Sequence, residues 1–166
     1  MSEESTQQEV LQKAKEAFED AITGDFEIRG DVLRISTTAG TFALYIKKCS
    51  DREDKHGRQV TLWSYRLVYP NFTNLNDGGL QLIPIINKLN QENAFGKTFV
   101  GQDGDVSVDV VFALQENEFD NYKAAFMARV LLQNVKEMHE HLEEKEVGKK
   151  DRVDLPSELL KFLKSK

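Results

Sequence analysis

Apolar residues recur every three or four positions in the first part of the chain, and this spacing predicts a helix. The positions between them are mostly charged or amidated, so the predicted helix is amphipathic and turns one face toward a core. Gly24 follows the last apolar position and is a residue type at which helices commonly end. The predicted helix begins near Ser2–Ser5 and has its apolar face at Val10, Leu11, Ala14, Ala17, Phe18, Ala21 and Ile22.

From position 26 onward apolar and polar residues alternate, which is the pattern of β-strands. The sequence predicts three strands here: one over Phe26–Thr37 with a turn or bulge at Gly30, a second over Thr41–Lys48 and a third over Arg58–Tyr69. The charged run Ser50–Gly57 is predicted to be an exposed loop. Both faces of the third strand carry apolar residues, so we expect a central strand covered by helices on one side and by a partner or further chain on the other.

The stretch Leu80–Leu114 combines both periods and forms the centre of the predicted fold. Its second part alternates, and Gly101–Gly104 predicts the turn of a hairpin whose second strand is Val106–Leu114. The preceding stretch Pro70–Gly79 is rich in Asn and Gly, which predicts a loop. The first part of the central stretch has the helical spacing, with apolar residues at Leu82, Ile85, Ile86 and Leu89.

A broad apolar stripe follows Asn117, which is predicted to cap a helix that continues to about Val147. The resulting order α-β-β-β-α-β-β-α predicts one α+β domain over residues 1–147, with an antiparallel sheet packed against helices. Residues 148–166 are predicted to form a charged linker followed by a short amphipathic helix. From Lys145 onward seven Lys or Arg face four Asp or Glu, so this segment carries +3 and the remainder −9. We therefore expect the segment to dock on the acidic body or on a neighbouring copy.

The formal net charge of −6 at pH 7 argues against a nucleic-acid partner, because the average surface would repel phosphates. No stretch approaches the roughly 20 apolar residues that span a bilayer, so no membrane association is expected. Cys49 is the single cysteine, which suits a reducing compartment. The sequence therefore predicts a cytoplasmic protein.

No residue pattern predicts catalysis, a cofactor or a metal site. Glu137 and His141 are four residues apart on the predicted long helix, but they lack the HExxH spacing of zinc proteases. Cys49 and His56 flank one loop without an identifiable third group to orient them, which does not favour a nucleophile–base pair. The sequence therefore predicts a non-enzymatic protein without a cofactor.

Three segments resemble the YbjN-like family of bacterial sensory transduction regulators, which is placed in the type III secretion chaperone-like fold. They are Ile86–Asn90, Phe95–Lys97 and Val106–Leu114, within a resemblance that extends over most of residues 5–147. The resemblance implies a non-enzymatic and often dimeric cytoplasmic protein that binds other polypeptides or modulates a pathway. In the secretion chaperones a client segment wraps on hydrophobic patches of a homodimer, which requires apolar surface and no catalytic residue.

Apolar residues beyond the needs of a core indicate where a partner would bind. We predict a chaperone-like or regulatory protein-binding module that acts as a homodimer and presents apolar surface to a polypeptide. The alternative is a small-molecule sensor with a pocket between the sheet and the loop 70–79, lined by Trp63, Tyr65 and Phe72. The predicted partner-binding residues lie on the central strand, on the long helix and in the C-terminal segment: Trp63, Tyr65, Phe126, Val130, Leu159 and Phe162.

Overall fold

The computed structural model of the chain describes residues 3–74, 83–102 and 104–144. The predicted linker and C-terminal helix, residues 148–166, lie outside these ranges, as do residues 75–79 of the predicted loop. The elements in chain order are α1 (Glu3–Ala21), β1 (Asp25–Arg29), β2 (Val32–Thr37), β3 (Gly40–Glu53), β4 (Gln59–Asn74), α2 (Ile83–Glu92), β5 (Gly96–Val100), β6 (Asp105–Gln115) and α3 (Asn121–Glu144). The described residues form a six-stranded antiparallel sheet and three α-helices, which confirms the predicted α+β class.

The number of strands was wrong in the prediction, since the described residues contain six strands and the predicted order had five. The difference lies in Phe26–Thr37, where Gly30 and Asp31 reverse the chain instead of bending one strand. Gly30 adopts φ +61°, a left-handed conformation that glycine reaches without strain. Arg29 therefore pairs with Val32, and β1 and β2 form a hairpin. The observed order is α-β-β-β-β-α-β-β-α.

The strands β3 and β4 are both longer than predicted. The charged residues Ser50–Glu53, which were predicted to be loop, continue β3 and pair with β4. β4 in turn continues past Pro70 into the predicted Pro70–Gly79 loop. The register of β4 against β6 shifts between Tyr69 and Thr73, and this irregularity accommodates a proline that has no N–H to donate. The predicted ends of these two strands are therefore wrong, because charged residues at the end of β3 and turn-forming residues at the end of β4 were read as loop.

All the described helices pack on one face of the sheet, whose strand order is β1-β2-β3-β4-β6-β5. This face carries the alternating apolar residues of each strand, such as Leu44, Leu67 and Val110, and all three of these side chains are fully buried. α1 and α3 contact each other above the sheet, whereas α2 lies against β5. The position of β4 between β3 and β6 confirms the predicted central strand. None of the described helices covers the opposite face, on which Tyr45 is exposed.

The long helix α3 begins three residues later than predicted. Asn117 lies in a short 3₁₀ turn, Glu116–Glu118, that precedes it. The N-terminal cap of α3 is Asp120, whose Oδ1 accepts a 2.9 Å hydrogen bond from the backbone N–H of Lys123. Asn and Asp both cap helices well, and the sequence offered both within one turn, so composition alone did not separate them.

We expect Asp120→Ala to destabilise the protein by about 1 kcal/mol, because the cap of α3 is lost. The hydrogen bond from the Lys123 N–H holds the pKa of the Asp120 carboxyl below its ordinary value. The stabilisation that comes from the charged carboxylate is therefore present at neutral pH and is lost as the pH falls through the lowered folded-state pKa. Urea unfolding of the variant and of the unmodified chain at pH 7 and in acid measures both effects.

Asn117→Ala serves as the matched control, because Asn117 is exposed and lies outside the helix. A larger loss of stability in Asn117→Ala than in Asp120→Ala would contradict this assignment of the cap.

Candidate functional site

The two predicted partner-binding residues of the central strand lie in the core. Trp63 is 3% exposed and Tyr65 is 1% exposed, because both side chains point from β4 toward the helices. Tyr65 stacks on Phe119, with ring centroids 4.3 Å apart. Burial raises the pKa of the Tyr65 hydroxyl above its ordinary value. Neither side chain is therefore presented to a partner on the surface of the described chain.

The two predicted residues of the long helix, Phe126 and Val130, lie on the face of α3 that borders the corner between α2 and β5. Val130 is partly buried, whereas Phe126 is 44% exposed. The spacing of four residues places them one above the other on the helix. Phe95, which was not among the predicted partner-binding residues, lies beside them and is 54% exposed at the corner. In the sequence, Phe95 was noted only within the segment Phe95–Lys97 of the family resemblance, because its proximity to α3 is a tertiary contact.

Phe95, Phe112 and Phe126 form a compact aromatic group, which we call the phenylalanine cluster. Phe126 meets Phe95 edge to face with centroids 5.6 Å apart and stacks on Phe112 at 5.8 Å. Phe95 also meets Phe112 edge to face at 6.3 Å. These are favourable ring geometries, so the cluster holds its shape while two of its three rings remain accessible.

A cavity of about 450 Å³ adjoins the phenylalanine cluster, and we call it the α3 groove. Its volume falls within the range of sites that take a small ligand or a few side chains. One wall belongs to the corner between α2 and β5 and the other to α3. The main lining residues are Asn93, Phe95, Gly96, Phe126, Val130 and Asn134.

Gly96 and Asn134 are in close contact at the base of the α3 groove. A Cβ atom added to Gly96 would lie 1.3 Å from Asn134 Nδ2, so the amide occupies the space of the missing side chain. Asn134 is 6% exposed, and its Nδ2 is the buried side-chain polar atom without a hydrogen-bond partner among the described residues. In the sequence, the contact between Gly96 and Asn134 is visible only as an amide residue within the apolar stripe of α3.

The corner between α2 and β5 is held by a second amide, that of Asn90. Its Nδ2 donates to the carbonyl oxygen of Thr98, and its Oδ1 accepts from the Thr98 N–H, both at 2.7 Å. Lys97 Nζ donates to the carbonyl oxygens of Asn90 and Asn93 at 2.6 and 2.7 Å, which ties β5 to the end of α2. These bonds fix the wall of the α3 groove and occupy the outer edge of β5 at Thr98.

A second cavity of about 630 Å³ lies between the start of α1 and the β3–β4 ladder. Most of its lining residues are of polar types, and they include Lys47, Lys48 and Cys49, with Trp63 at one side. Gln7 Nε2 donates a 2.8 Å hydrogen bond to the carbonyl oxygen of Ile46 nearby. This cavity differs from the predicted pocket beside the loop 70–79. Half of that loop, residues 75–79, lies outside the described residues.

The other two predicted partner-binding residues belong to the C-terminal segment. Leu159 and Phe162 lie outside the described residues. Within the described ranges, no three His, Cys, Asp or Glu side chains come together in a group that could hold a metal ion. In the same ranges, no helix has both the length and the apolar character needed to cross a membrane.

Comparison of the chain with protein-family models, with curated proteins and with solved structures finds no match. The function must therefore be argued from the geometry of the chain itself.

Proposed function

We propose that this protein is a non-enzymatic protein-binding module, chaperone-like or regulatory, that presents the phenylalanine cluster and the α3 groove to a polypeptide partner. The observation that carries the proposal is the exposure of Phe95 and Phe126, which are about half accessible although they pack on each other. Aromatic side chains are enriched in the centres of protein interfaces, where their burial contributes most of the binding free energy. A groove lined by phenylalanines therefore suits an apolar polypeptide segment.

Groove filling is the mode of binding that the contacts around β5 favour. A partner strand that paired with the outer edge of β5 would have to displace the Asn90 amide from both backbone groups of Thr98. Insertion of side chains into the α3 groove requires no such exchange. The proposed partner therefore contacts α3 and Phe95 rather than extending the sheet.

The proposal includes a homodimer in the cytoplasm, as the resemblance to the YbjN-like family and the chaperone-like fold implies. The sheet face opposite the helices offers a second surface, because no described helix covers it and Tyr45 is exposed there. A dimer formed through that face would leave both α3 grooves open. The net charge of −6 supports a protein partner over a nucleic acid.

We expect Phe126→Ala to weaken the binding of apolar peptides at least about tenfold, because it removes a central ring of the cluster. The measurement is fluorescence anisotropy with a panel of labelled, terminally blocked 12-residue peptides. Tyr45→Ala is the matched control, since Tyr45 is also 44% exposed but lies on the opposite face of the sheet. The control should bind as the unmodified chain does.

Equal binding by Phe126→Ala and the unmodified chain would refute the groove as the partner site. Sedimentation velocity of the same proteins at micromolar concentration tests the homodimer separately. A dimer that persists in Phe126→Ala agrees with the proposal, whereas a monomeric unmodified chain would remove the homodimer from it.

A further inference from the structure

Asn134 places a buried amide at the base of the α3 groove, whose rim also carries the polar side chains of Asn93 and Gln133. It lies at the groove's base against Gly96, and its Nδ2 has no acceptor among the described residues. Buried donors in folded proteins are nearly always hydrogen-bonded, so an unpaired one calls for an acceptor that the described residues do not supply. Nδ2 itself is packed against Gly96, so a group that enters the groove reaches this donor when the Asn134 amide turns about χ2, a torsion with broad minima.

Two residues of opposite charge, Arg129 and Glu137, lie on α3 along the same side of the groove. Arg129 is exposed and forms no ion pair within the described part of the chain. Glu137 accepts hydrogen bonds from Gln133 Nε2 at 2.9 Å and Asn93 Nδ2 at 3.4 Å, but no described cation pairs with it. Eight helical positions separate the two charges, which corresponds to about 12 Å along the axis. Asn134 lies between them.

We propose that the α3 groove binds an extended polypeptide segment through one of its backbone carbonyls, which accepts a hydrogen bond from Asn134 Nδ2. An apolar side chain of the segment packs on Phe95 and Phe126. This inference rests on the proposed function and adds to it the chemical group that the groove recognises. Every polypeptide carries backbone carbonyls, so such a contact holds a segment without restricting its sequence.

The charges on α3 indicate the composition and length of the segment. An acidic residue of the segment pairs with Arg129, and a basic residue pairs with Glu137. The span between these charges accommodates about three to four residues of extended chain, at roughly 3.3 Å per residue. The expected ligand is therefore a short extended stretch with an apolar centre and opposite charges at its ends.

The test uses a fluorescein-labelled, terminally blocked peptide with the sequence Ser-Asp-Leu-Phe-Leu-Lys-Ser, and the readouts are anisotropy and the melting temperature of the protein. We expect Asn134→Leu to weaken binding at least fivefold without lowering the melting temperature. Leucine has a similar shape and leaves no unpaired donor, so the unbound protein loses nothing by the change. A purely structural role of Asn134 would instead lower the melting temperature.

A second test changes the peptide instead of the protein, so that the inference can still be refuted if Asn134→Leu folds poorly. In a set of analogues, each interior amide is replaced in turn by an ester, whose carbonyl is a weaker acceptor. One analogue should bind the unmodified chain at least threefold more weakly than the parent peptide does. If Asn134→Leu folds, this variant should bind the same ester analogue and the parent peptide about equally well, because it lacks the donor of the proposed hydrogen bond.

Two negative results have different meanings. If the parent peptide binds and requires Phe126, but Asn134→Leu and every ester analogue bind equally well, the carbonyl contact is wrong and the proposed function stands. If neither the parent peptide nor the wider peptide panel binds the unmodified chain, the proposed function and this inference are both wrong.

Discussion

Val110→Asp is expected to prevent the chain from folding at 25 °C. Val110 is fully buried on β6, where it pairs with Leu67 of β4 on one side and Gly96 of β5 on the other. A carboxylate at this position would lie among the buried apolar side chains of the core, and burying an unpaired charge is among the few single changes that exceed about 4 kcal/mol. This is comparable with the whole stability of a domain, roughly 5 to 15 kcal/mol.

Val111→Asp is the control for Val110→Asp, since the neighbouring side chain points to the opposite face of the sheet and is exposed. We expect a change of less than about 0.5 kcal/mol for it. Circular dichroism and urea unfolding of both variants measure the difference. A cooperative, wild-type-like unfolding transition of Val110→Asp would show that β6 does not face the core as described.

The second large effect is expected for Asn90→Ala. The change removes both hydrogen bonds to the backbone of Thr98 and leaves its partly buried N–H and carbonyl without these partners. Each such group costs about 1 to 3 kcal/mol when fully buried, and because these two are only partly buried we expect a destabilisation of about 2 to 4 kcal/mol. Amide hydrogen exchange gives a local readout, because the Thr98 N–H should lose its protection before the rest of β5.

Asn87→Ala is the matched control for Asn90→Ala. Asn87 is on the same helix, is exposed and makes no described hydrogen bond, and alanine favours a helix by about 0.5 kcal/mol. The control should be unchanged or slightly more stable. Equal urea midpoints for Asn87→Ala and Asn90→Ala would mean that the Asn90–Thr98 contact does not support the fold.

The hydrophobic periodicity predicted most of the helices and strands of this chain, but it did not predict the residues at which they end. The α1 stripe and the two-sided apolar pattern of β4 predicted the correct elements, because both patterns reflect burial directly. The turn at Gly30 was ambiguous, since a glycine with positive φ can form either a bulge or a hairpin. Likewise, Ser50–Glu53 is charged because β3 is solvated there, and a solvated strand end has the composition of a loop.

The candidate site could be predicted only in part. Phe126 and Val130 were singled out because the apolar stripe of α3 is wider than one packing surface requires. Trp63 was predicted to lie at a partner surface because both faces of β4 carry apolar residues. When both faces are apolar, the hydrophobic periodicity does not show which of them packs against the helices. The contact between Gly96 and Asn134 joins residues far apart in sequence, so no local pattern could reveal it.

The Asn90 amide has a consequence for the behaviour of the protein in solution. Open sheet edges are templates on which other chains add as strands, and long runs of such additions lead to aggregation. Asn90 supplies Thr98 with the donor and the acceptor of an absent neighbouring strand. At the other edge, β1 is short and carries the Glu27–Arg29 ion pair. A protein that holds apolar polypeptides would thus keep them from nucleating fibres on its own sheet.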